Sequence, residues 1–376
     1  MTTTLAEKYR PWTFEQVVGQ ETAVKTLSGL IHPDKRGGHV ILYGPAGTGK
    51  TTLARLYGKA LHCKTPNEGS PCYECYLCQQ AETHGFGYVE VDGSKGHSND
   101  SVREILRNSS ENLSFGNWWV VFVDEAQGFG SHFGAMLKTV EEATGHNKHR
   151  RATFILATTD LSKIPPTIIS RCRTLFIDAL DRVTAVKHLT SVCEKEDYVW
   201  EPEALAFIAS CSKGDIRKLL TNLEQVADQG ERKITRAAAI EALNLHYARP
   251  LVDYFEALLE RDQAAQIDQF QSWSLPPGEK LRYLQAFLLD LYYNEIVSPP
   301  VKVPGNPAFT TVTAEQKQRM VSTLRKRAAA CGVSFEAFWH ELASFWLRQE
   351  LNGVTDARLE MELIHFDRMV NLAPES

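Results

Sequence analysis

The sequence predicts an α/β fold in the first half of the chain and an all-α fold in the second. The apolar run 40–43 enters a glycine-rich turn, and a helical pattern opens directly after it at Lys50. Further apolar runs at 118–123 and 153–157 alternate with helical segments, which is typical of a parallel sheet covered on both faces. Later in the chain the periodicity is only helical. We therefore predict an α/β core followed by two helical domains, over 1–178, 179–245 and 246–376.

Composition and charge exclude several classes of protein. The chain has 376 residues, of which 43% are hydrophobic, so a sizeable core can be buried. It has no run of about eighteen apolar residues, and residues 1–10 lack the apolar stretch of a signal peptide. We therefore expect a cytoplasmic protein that does not enter a membrane. The net charge of −5 argues against coating nucleic acid through bulk positive charge, but it is compatible with a local basic surface.

The remaining elements follow from the spacing of apolar and turn residues. Residues 5–20 include a proline and predict an extended arm, and the prolines at 165–166 predict the start of a short helix. Residues 98–101 predict the cap of a helix that runs to about Asn108, because Ser101 and Glu104 are spaced as a capping box. The other expected strands are 88–91 and 174–177. The other expected helices are 21–31, 50–62, 131–142, three or four within 182–244, and several within 251–370 around a loop at 298–307.

The strongest motif is a phosphate-binding loop between the first strand and the helix that follows it. The segment Gly44-Pro45-Ala46-Gly47-Thr48-Gly49-Lys50-Thr51-Thr52 matches G-x-x-x-x-G-K-[ST]. Its glycines can take positive φ, so backbone N–H groups can converge on one anion, and the helix adds the positive end of its dipole. Lys50 is expected to reach the β- and γ-phosphates, and the Thr51 hydroxyl to bind Mg²⁺.

A pair of carboxylates follows the apolar run 118–123. Asp124 is placed to hold Mg²⁺, and Glu125 is placed to activate the attacking water as a general base. Asp-Glu pairs are common at strand ends, but this pair lies downstream of an intact phosphate-binding loop. The two motifs together predict a nucleotide-hydrolysing site.

Four of the eight cysteines are clustered directly after the helix 50–62. The pattern Cys63-x₈-Cys72-x₂-Cys75-x₂-Cys78 predicts a tetrahedral zinc site within a small module at about 62–80. Four thiolates leave no open position on the metal, so this zinc would be structural. Free cysteines and a redox Cys-x-x-Cys pair are the alternatives.

Three further positions suggest a functional role only when they are considered together with the nucleotide-binding motifs. Thr158 or Thr159, at the end of the run 153–157, is placed to sense the γ-phosphate. Arg171 could act as an arginine finger on a neighbouring subunit, and Arg217 could contact phosphate from the small helical domain. Taken alone, each of these side chains would be read as an ordinary polar or charged surface residue.

These motifs together resemble the AAA+ clamp-loader ATPases, and among them the gamma/tau-type subunits of bacterial DNA polymerase III. The resemblance covers residues 5–244, and the cysteine insertion is its sharpest feature. The other matching segments are Lys8-Tyr9-Arg10-Pro11, Val18-Gly19-Gln20, the phosphate-binding loop, Val123-Asp124-Glu125-Ala126, Leu137-Lys138-Thr139-Val140-Glu141-Glu142, Leu156-Ala157-Thr158-Thr159-Asp160 and Ser170-Arg171-Cys172.

The resemblance implies an AAA+ core, a helical lid and a C-terminal collar that assembles five subunits into a ring. It implies ATP, Mg²⁺ and structural Zn²⁺ as cofactors, and ATP-driven loading of a sliding clamp onto primer–template DNA together with other clamp-loader subunits. It also implies roles for individual residues. These are Tyr9, Arg10 and Val18 beside the adenine, Gly44, Gly47, Thr48, Gly49, Lys50, Thr51 and Thr52 around the phosphates, Thr159 as first sensor, Arg171 as the finger in trans, and Arg217 as second sensor.

The chain departs from the family's pattern in several places. The family's Asp-Glu-Val-His is Asp124-Glu125-Ala126-Gln127 here, and its Glu-Glu-Pro-Pro is Glu-Glu-Ala-Thr at 141–144. The motif at 214–218 is closer to the replication-factor version, and the collar match is faint. The aromatic-rich helix expected at 335–350 fits an oligomer interface and an internal core equally well. We therefore expect a divergent member of the family, for example one encoded by a phage or a mobile element. The end of the chain at Ser376 resembles the short gamma form.

Two other functions stay open. A non-hydrolysing scaffold subunit of the same machine would not need Lys50 or Glu125. A different AAA+ ATPase, such as a helicase loader or a branch-migration motor, would not be expected to carry the cysteine module. DNA contact is expected from Lys95, Asn99 and Arg103, although a solvated polar loop explains these residues almost as well.

Overall fold

The structure of the protein is a computed structural model. The chain comprises two compact units, residues 1–232 and 233–376. The described residues are 3–31, 38–79, 88–95, 119–134, 136, 152–243, 253–257, 260, 262–273, 275–291, 314–330, 332–335 and 337–339. Several expectations lie outside them, namely the helix and its cap at 98–108 with Asn99 and Arg103, most of the helices 131–142 and 335–350, the segment 137–144 and the loop 298–307.

A five-stranded parallel sheet forms the centre of the first unit. Its strands are β1 (Val40–Tyr43), β2 (Tyr88–Asp92), β3 (Trp119–Asp124), β4 (Ala152–Thr158) and β5 (Arg173–Phe176). They lie in the order β2-β3-β4-β1-β5, and every neighbouring pair is parallel. As a result β4 separates β1 from β3, and the carboxyl ends of all three strands meet at one edge, where ligands bind in open α/β sheets. The expected parallel core is confirmed.

Helices cover both faces of this sheet, and their apolar sides form the core. One cluster packs α2 and α3 side chains such as Leu27, Leu53 and Tyr57 against Val40 and Phe122 of the sheet. A second cluster lies on the opposite face. The helices in the described part of the first unit are α1 (Leu5–Lys8), α2 (Glu21–Gly29), α3 (Lys50–His62), α4 (Pro166–Ile169), α5 (Arg182–Lys195), α6 (Pro202–Ser212) and α7 (Ile216–Gln229). Single 3₁₀ turns are formed at Phe14–Gln16, Ala126–Gly128, Gly130–His132 and Leu161–Lys163.

The N-terminal arm differs from the extended segment that the sequence predicts. Residues 5–8 form α1, because the Thr4 side chain accepts a hydrogen bond from the backbone N–H of Glu7 and so caps the helix. The backbone N–H of Leu5 donates to Glu224 of α7 at 3.1 Å, and the Leu5 side chain is buried. A helix of four residues is too short to produce a periodic pattern, and tertiary contacts hold it in place.

The described part of the second unit is helical apart from the two-residue strand β7 (Lys233–Ile234). Its helices are α8 (Arg236–Ala242), α9 (Gln263–Ser272), α10 (Pro277–Leu291) and α11 (Ala314–Ala330). Buried aromatic rings pack inside it, with the Phe255 and Phe287 centroids 5.1 Å apart. The sequence predicts three or four helices within 182–244, and α5 to α8 are four. It missed β7 and a similar short strand, β6 (Val199–Trp200). The division into lid and collar domains stays a prediction.

No helix among the described residues is both long enough and apolar enough to span a bilayer.

Candidate nucleotide-binding site

A cavity of about 460 Å³ lies at the carboxyl edge of the sheet in the first unit. It brings together the phosphate-binding loop, the carboxylate pair at the end of β3, the N-terminal arm and the start of α7. The expected site residues that line it are Tyr9, Arg10, Val18, Gly47, Thr48, Gly49, Lys50, Thr51, Thr52, Asp124, Glu125 and Arg217. Segments up to about 200 residues apart in the chain therefore converge on one space, as the motifs predict.

Two glycines of the loop occupy positions where a side chain would not fit. Gly44 has φ of 151°, and a Cβ there would lie 2.1 Å from the backbone oxygen of Ile177. Gly47 has φ of 71°, and a Cβ there would lie 2.0 Å from the carboxylate of Asp215. The backbone N–H of Ile216 donates to the Gly47 oxygen at 3.0 Å. The first turn of α7 therefore packs directly on the phosphate-binding loop.

The Lys50 ammonium points into the loop. Its Nζ donates to the backbone oxygens of Gly44 at 3.0 Å and Pro45 at 2.6 Å. Burial lowers the pKa of Lys50, while the nearby carboxylates of Glu125 and Asp124 act in the opposite direction. A cation held among backbone dipoles at the N-terminus of a helix is suited to receive a phosphate.

Oxygen ligands suited to Mg²⁺ lie beside this lysine. The Thr51 hydroxyl donates to Asp124 Oδ2 at 2.8 Å, and the backbone N–H of Glu125 donates to Asp124 Oδ1 at 3.0 Å. Burial raises the pKa of Asp124, although these two hydrogen bonds oppose the rise. A hydroxyl and a carboxylate at this spacing fit the donor preference of Mg²⁺, so the residues present are compatible with the ion.

The Glu125 side chain is exposed, and its backbone is left-handed with φ of 49°. Its Oε2 accepts a hydrogen bond of 2.5 Å from the Gln127 side-chain amide. The same amide contacts Thr158 and Thr159 at the end of β4. Thr158 is buried and Thr159 is exposed, and neither lines the cavity. The choice between these two threonines as γ-phosphate sensor stays a prediction.

The N-terminal arm and the helices α5 and α7 also line the cavity. The Tyr9 hydroxyl donates to Glu196 at 2.5 Å, and burial together with this bond raises the pKa of Tyr9. Burial lowers the pKa of Arg10, and the positive charges of Arg55 and Arg217 lower it further. Arg10 and Arg217 both line the cavity, and two positive charges there favour an anionic ligand. Sequence reasoning missed His188 in the lining of the cavity, because its place depends on how α5 packs.

Arg171 is exposed and does not line the cavity of its own chain. Its Nη1 donates to the Thr167 backbone oxygen at 2.8 Å, so the side chain lies along the C-terminal end of α4. Lys95, a candidate for DNA contact, is exposed and forms an ion pair of 3.5 Å with Asp92.

The four clustered cysteines converge after α3. Their sulfur atoms all lie within 4.8 Å of one another, and Cys63 Sγ is 3.4 Å from Cys72 Sγ. Tetrahedral zinc with Zn–S bonds of about 2.3 Å requires sulfur atoms roughly 3.8 Å apart, so this group fits the ion. Burial alone would raise the pKa of Cys72, but hydrogen bonds from Thr65 and from backbone N–H groups lower it to about 6. Such a thiol ionises readily and can bind a metal.

Comparison with known proteins identifies subunits of DNA polymerase III as relatives. Residues 19–181 match the family model described as DNA polymerase III, delta subunit. The DNA polymerase III subunit gamma of Buchnera aphidicola subsp. Baizongia pistaciae is 32% identical over 260 residues, which cover 69% of each chain. The subunit tau/gamma of Haemophilus influenzae is 35% identical over 257 residues, and these cover 68% of this chain but only 36% of the relative.

The comparison with solved structures supports the fold of the chain and nothing beyond the fold. Two variants of the RuvB protein of Thermotoga maritima superpose with a TM-score of 0.50 at 17% and 18% identity. The match covers 80% and 81% of this chain and 91% of the RuvB chain. This supports the P-loop sheet and its helices, whereas the sequence identity and coverage of the polymerase III subunits decide the family. The chain belongs to the gamma/tau family of DNA polymerase III subunits.

Proposed function

We propose that the chain is the ATP-hydrolysing motor subunit of a sliding-clamp loader, which opens the clamp and places it on primer–template DNA. The observation that carries this proposal is the convergence of Lys50, Thr51, Asp124 and Glu125 on one cavity. Family membership supplies the biological setting. The carboxylate pair and the loop supply the means for Mg²⁺-dependent hydrolysis of ATP.

Each residue then has a defined role. Lys50 and the loop N–H groups bind the β- and γ-phosphates. Thr51 and Asp124 would hold Mg²⁺, and the ion would supply positive charge beside the phosphates. Glu125 accepts the proton of the attacking water. Thr159 senses the γ-phosphate, Arg217 contacts the phosphates from the helical lid, and Arg171 completes the site of a neighbouring subunit. Tyr9, Arg10 and Val18 bind the nucleoside.

The alternatives are weaker for physical reasons. A scaffold subunit has no need of a lysine, a hydroxyl and two carboxylates in one cavity, and all four are present here. A branch-migration motor shares the fold, since the RuvB variants superpose on it. However, the fold is common to many activities, and the sequence relatives are DNA polymerase III subunits.

The finer assignments belong to the same proposal. The chain would act in the cytoplasm within a five-membered ring of clamp-loader subunits, with a helical lid at 179–245 and a collar at 246–376. A structural zinc would occupy Cys63, Cys72, Cys75 and Cys78. Lys95, Asn99 and Arg103 would contact the DNA backbone, which a clamp loader grips without reading bases.

Steady-state ATP hydrolysis tests the proposal, measured with and without primed DNA and a candidate sliding clamp. We expect primed DNA and clamp to stimulate turnover. Glu125→Gln should bind ATP normally but hydrolyse it about 10²- to 10⁴-fold more slowly, because the general base is lost. Lys50→Ala should fail to bind ATP, whereas Lys25→Ala, an exposed lysine of α2, should behave as wild type. Normal ATP affinity in Lys50→Ala, or turnover that ignores clamp and DNA when the partner subunits are present, would contradict the proposal.

A further inference from the structure

Gln127 forms a polar bridge between the carboxylate that follows β3 and the end of β4. Its Nε2 donates to Glu125 Oε2 at 2.5 Å and lies 3.0 Å from Thr159 Oγ1. Its Oε1 accepts from the Thr158 hydroxyl at 2.7 Å and from the Thr159 backbone N–H at 3.3 Å. Both ends of the amide are therefore engaged, and each end faces partners of the matching kind.

This arrangement fixes the direction of the amide. If it were turned around, the NH₂ group would face the N–H of Thr159 and the oxygen would face the Glu125 carboxylate, so both contacts would become repulsive. Thr158 is fully buried and belongs to β4, which lies between β1 and β3. The backbone N–H of Gly44 donates to the Thr158 oxygen at 3.3 Å. The amide is thus anchored to the sheet beside the phosphate-binding loop.

Glu125 depends on this anchor. Its side chain is exposed and follows the last residue of the strand. Among the residues that the structure describes, Gln127 supplies the one hydrogen bond to the Glu125 carboxylate. Without Gln127 the carboxylate would sample several rotamers in solvent. A general base displaced by about 1 Å can lose up to about 100-fold in rate.

We infer that Gln127 is a positioning residue for ATP hydrolysis, which holds the Glu125 carboxylate in register with Thr158 and Thr159. The inference rests on the proposed function, because it assigns Glu125 the role of general base. Gln127 itself contacts Glu125 and the two threonines through its amide. Its effect should therefore fall on the chemical step and leave ATP binding unchanged.

Four variants in the assembled complex test this role through kcat, the KM for ATP and the affinity for a non-hydrolysable ATP analogue. Gln127→Met keeps the length of the side chain and removes the amide, so kcat should fall about 10- to 100-fold while KM and analogue affinity change less than about twofold. Gln127→Glu also keeps the length but puts a second carboxylate against Glu125, so kcat should fall at least as far. Gln127→His retains one donor and one acceptor nitrogen and should restore most of kcat. Gln229→Met makes the same chemical change on an exposed position of α7 and should have no effect.

The outcomes separate this inference from the proposed function. If wild type hydrolyses ATP and Gln127→Met has the same kcat, the positioning role is wrong while the motor assignment stands. Equal losses in kcat and analogue affinity would also overturn it, because they would indicate a structural or binding role. If wild type in the complex binds but does not hydrolyse ATP, the proposed function fails and the positioning role fails with it.

Discussion

At the scale of single residues, the ionised Asp124 carboxylate destabilises the folded protein, although the proposed hydrolysis of ATP requires it to hold Mg²⁺. Burial raises its pKa, so the native state holds the proton more tightly than the unfolded chain does. Stability is therefore greatest while Asp124 is protonated. It falls as the pH rises from the ordinary aspartate value of about 3.9 through the raised value. Mg²⁺ would offset this penalty, because a bound cation favours the ionised carboxylate.

Asp124→Asn should accordingly stabilise the nucleotide-free protein near neutral pH. An asparagine can accept from the Glu125 N–H and donate to the Thr51 hydroxyl, so it preserves both contacts without a buried charge. The gain in thermal midpoint over wild type should be small near pH 4 and should grow as the pH rises to 7. Thermal unfolding across this range measures the gain, and Mg²⁺-dependent ATP hydrolysis should be lost in the same variant.

Asp181→Asn is a control in which the change in stability near neutral pH should have the opposite sign to that of Asp124→Asn. Hydrogen bonds from Thr184 hold the pKa of Asp181 below its ordinary value, so its ionised form stabilises the fold at neutral pH. This contribution is lost as the pH falls through the lowered value. The variant should therefore lose stability at pH 7 and approach wild type in acid. If both variants show the same pH trend, the assigned electrostatics of Asp124 are wrong.

The sequence predicts those site residues whose role depends on spacing within one short segment of the chain. Lys50 and Thr51 follow from spacing within one loop, and the carboxylates follow from their place after an apolar run. In the sequence alone, Gln127 is only a departure from the family's Asp-Glu-Val-His pattern. Its role depends on β4 lying beside β3, which no local spacing encodes. His188 and Glu196 were missed for the same reason, since they reach the arm and the cavity only after α5 has packed.

At the scale of elements, the cysteine module is connected to the nucleotide cavity through the N-terminal arm. The backbone N–H of Phe14 donates to Ser70 Oγ of the module at 2.9 Å. The Trp12 ring meets Tyr73 edge-on at 5.3 Å, and the Lys59 ammonium lies over both rings. The neighbouring part of the arm, with Arg10 and Val18, lines the cavity. Removal of the zinc proposed for this module should therefore weaken nucleotide binding.

Cys72→Ser should reduce bound zinc from about one ion per chain, because a hydroxyl is a poor replacement for a thiolate ligand. The thermal midpoint should fall, and the affinity for ATP should fall with it as the arm loosens. Elemental analysis, thermal unfolding and nucleotide titration measure the three effects. Cys211→Ser, a matched change at a half-buried cysteine of α6 away from the cluster, should keep its zinc. A fully folded wild-type protein without metal would contradict the zinc assignment.

The elements themselves were predicted with uneven success. The strands β1, β3 and β4 and the helix α3 are long or continuous enough to give clear patterns, and the structure confirms them. The strands β6 and β7 have two residues each and the helix α1 is about one turn, so their backbone is set by caps and tertiary contacts that periodicity does not reveal. The strand order β2-β3-β4-β1-β5 is likewise a property of packing.

At the scale of the whole molecule, the proposed arginine finger lies outside the cavity of its own chain. Arg171 is exposed on the first unit and does not line the cavity of its own chain. In an assembly of several copies or relatives, one chain's Arg171 could reach the cavity of its neighbour. An arginine supplied in this way typically accelerates phosphoryl transfer by about 10³-fold or more, so the assembly and not the single chain would be the active ATPase.

Arg171→Ala should therefore slow hydrolysis about 10³-fold in the assembled complex and leave the slow basal rate of the isolated chain unchanged. Arg182→Ala, an exposed arginine at the start of α5, serves as the control.

Assemblies that mix two variant chains test more directly whether Arg171 acts on a neighbouring chain. Lys50→Ala chains cannot bind ATP but retain Arg171, and Arg171→Ala chains bind ATP but lack the finger. Co-assembled, the two should regain part of the wild-type rate, because some interfaces pair an intact Lys50 with an intact Arg171. If the mixture stays as inactive as its parents, or if the isolated Arg171→Ala chain loses its basal rate, Arg171 does not act in trans.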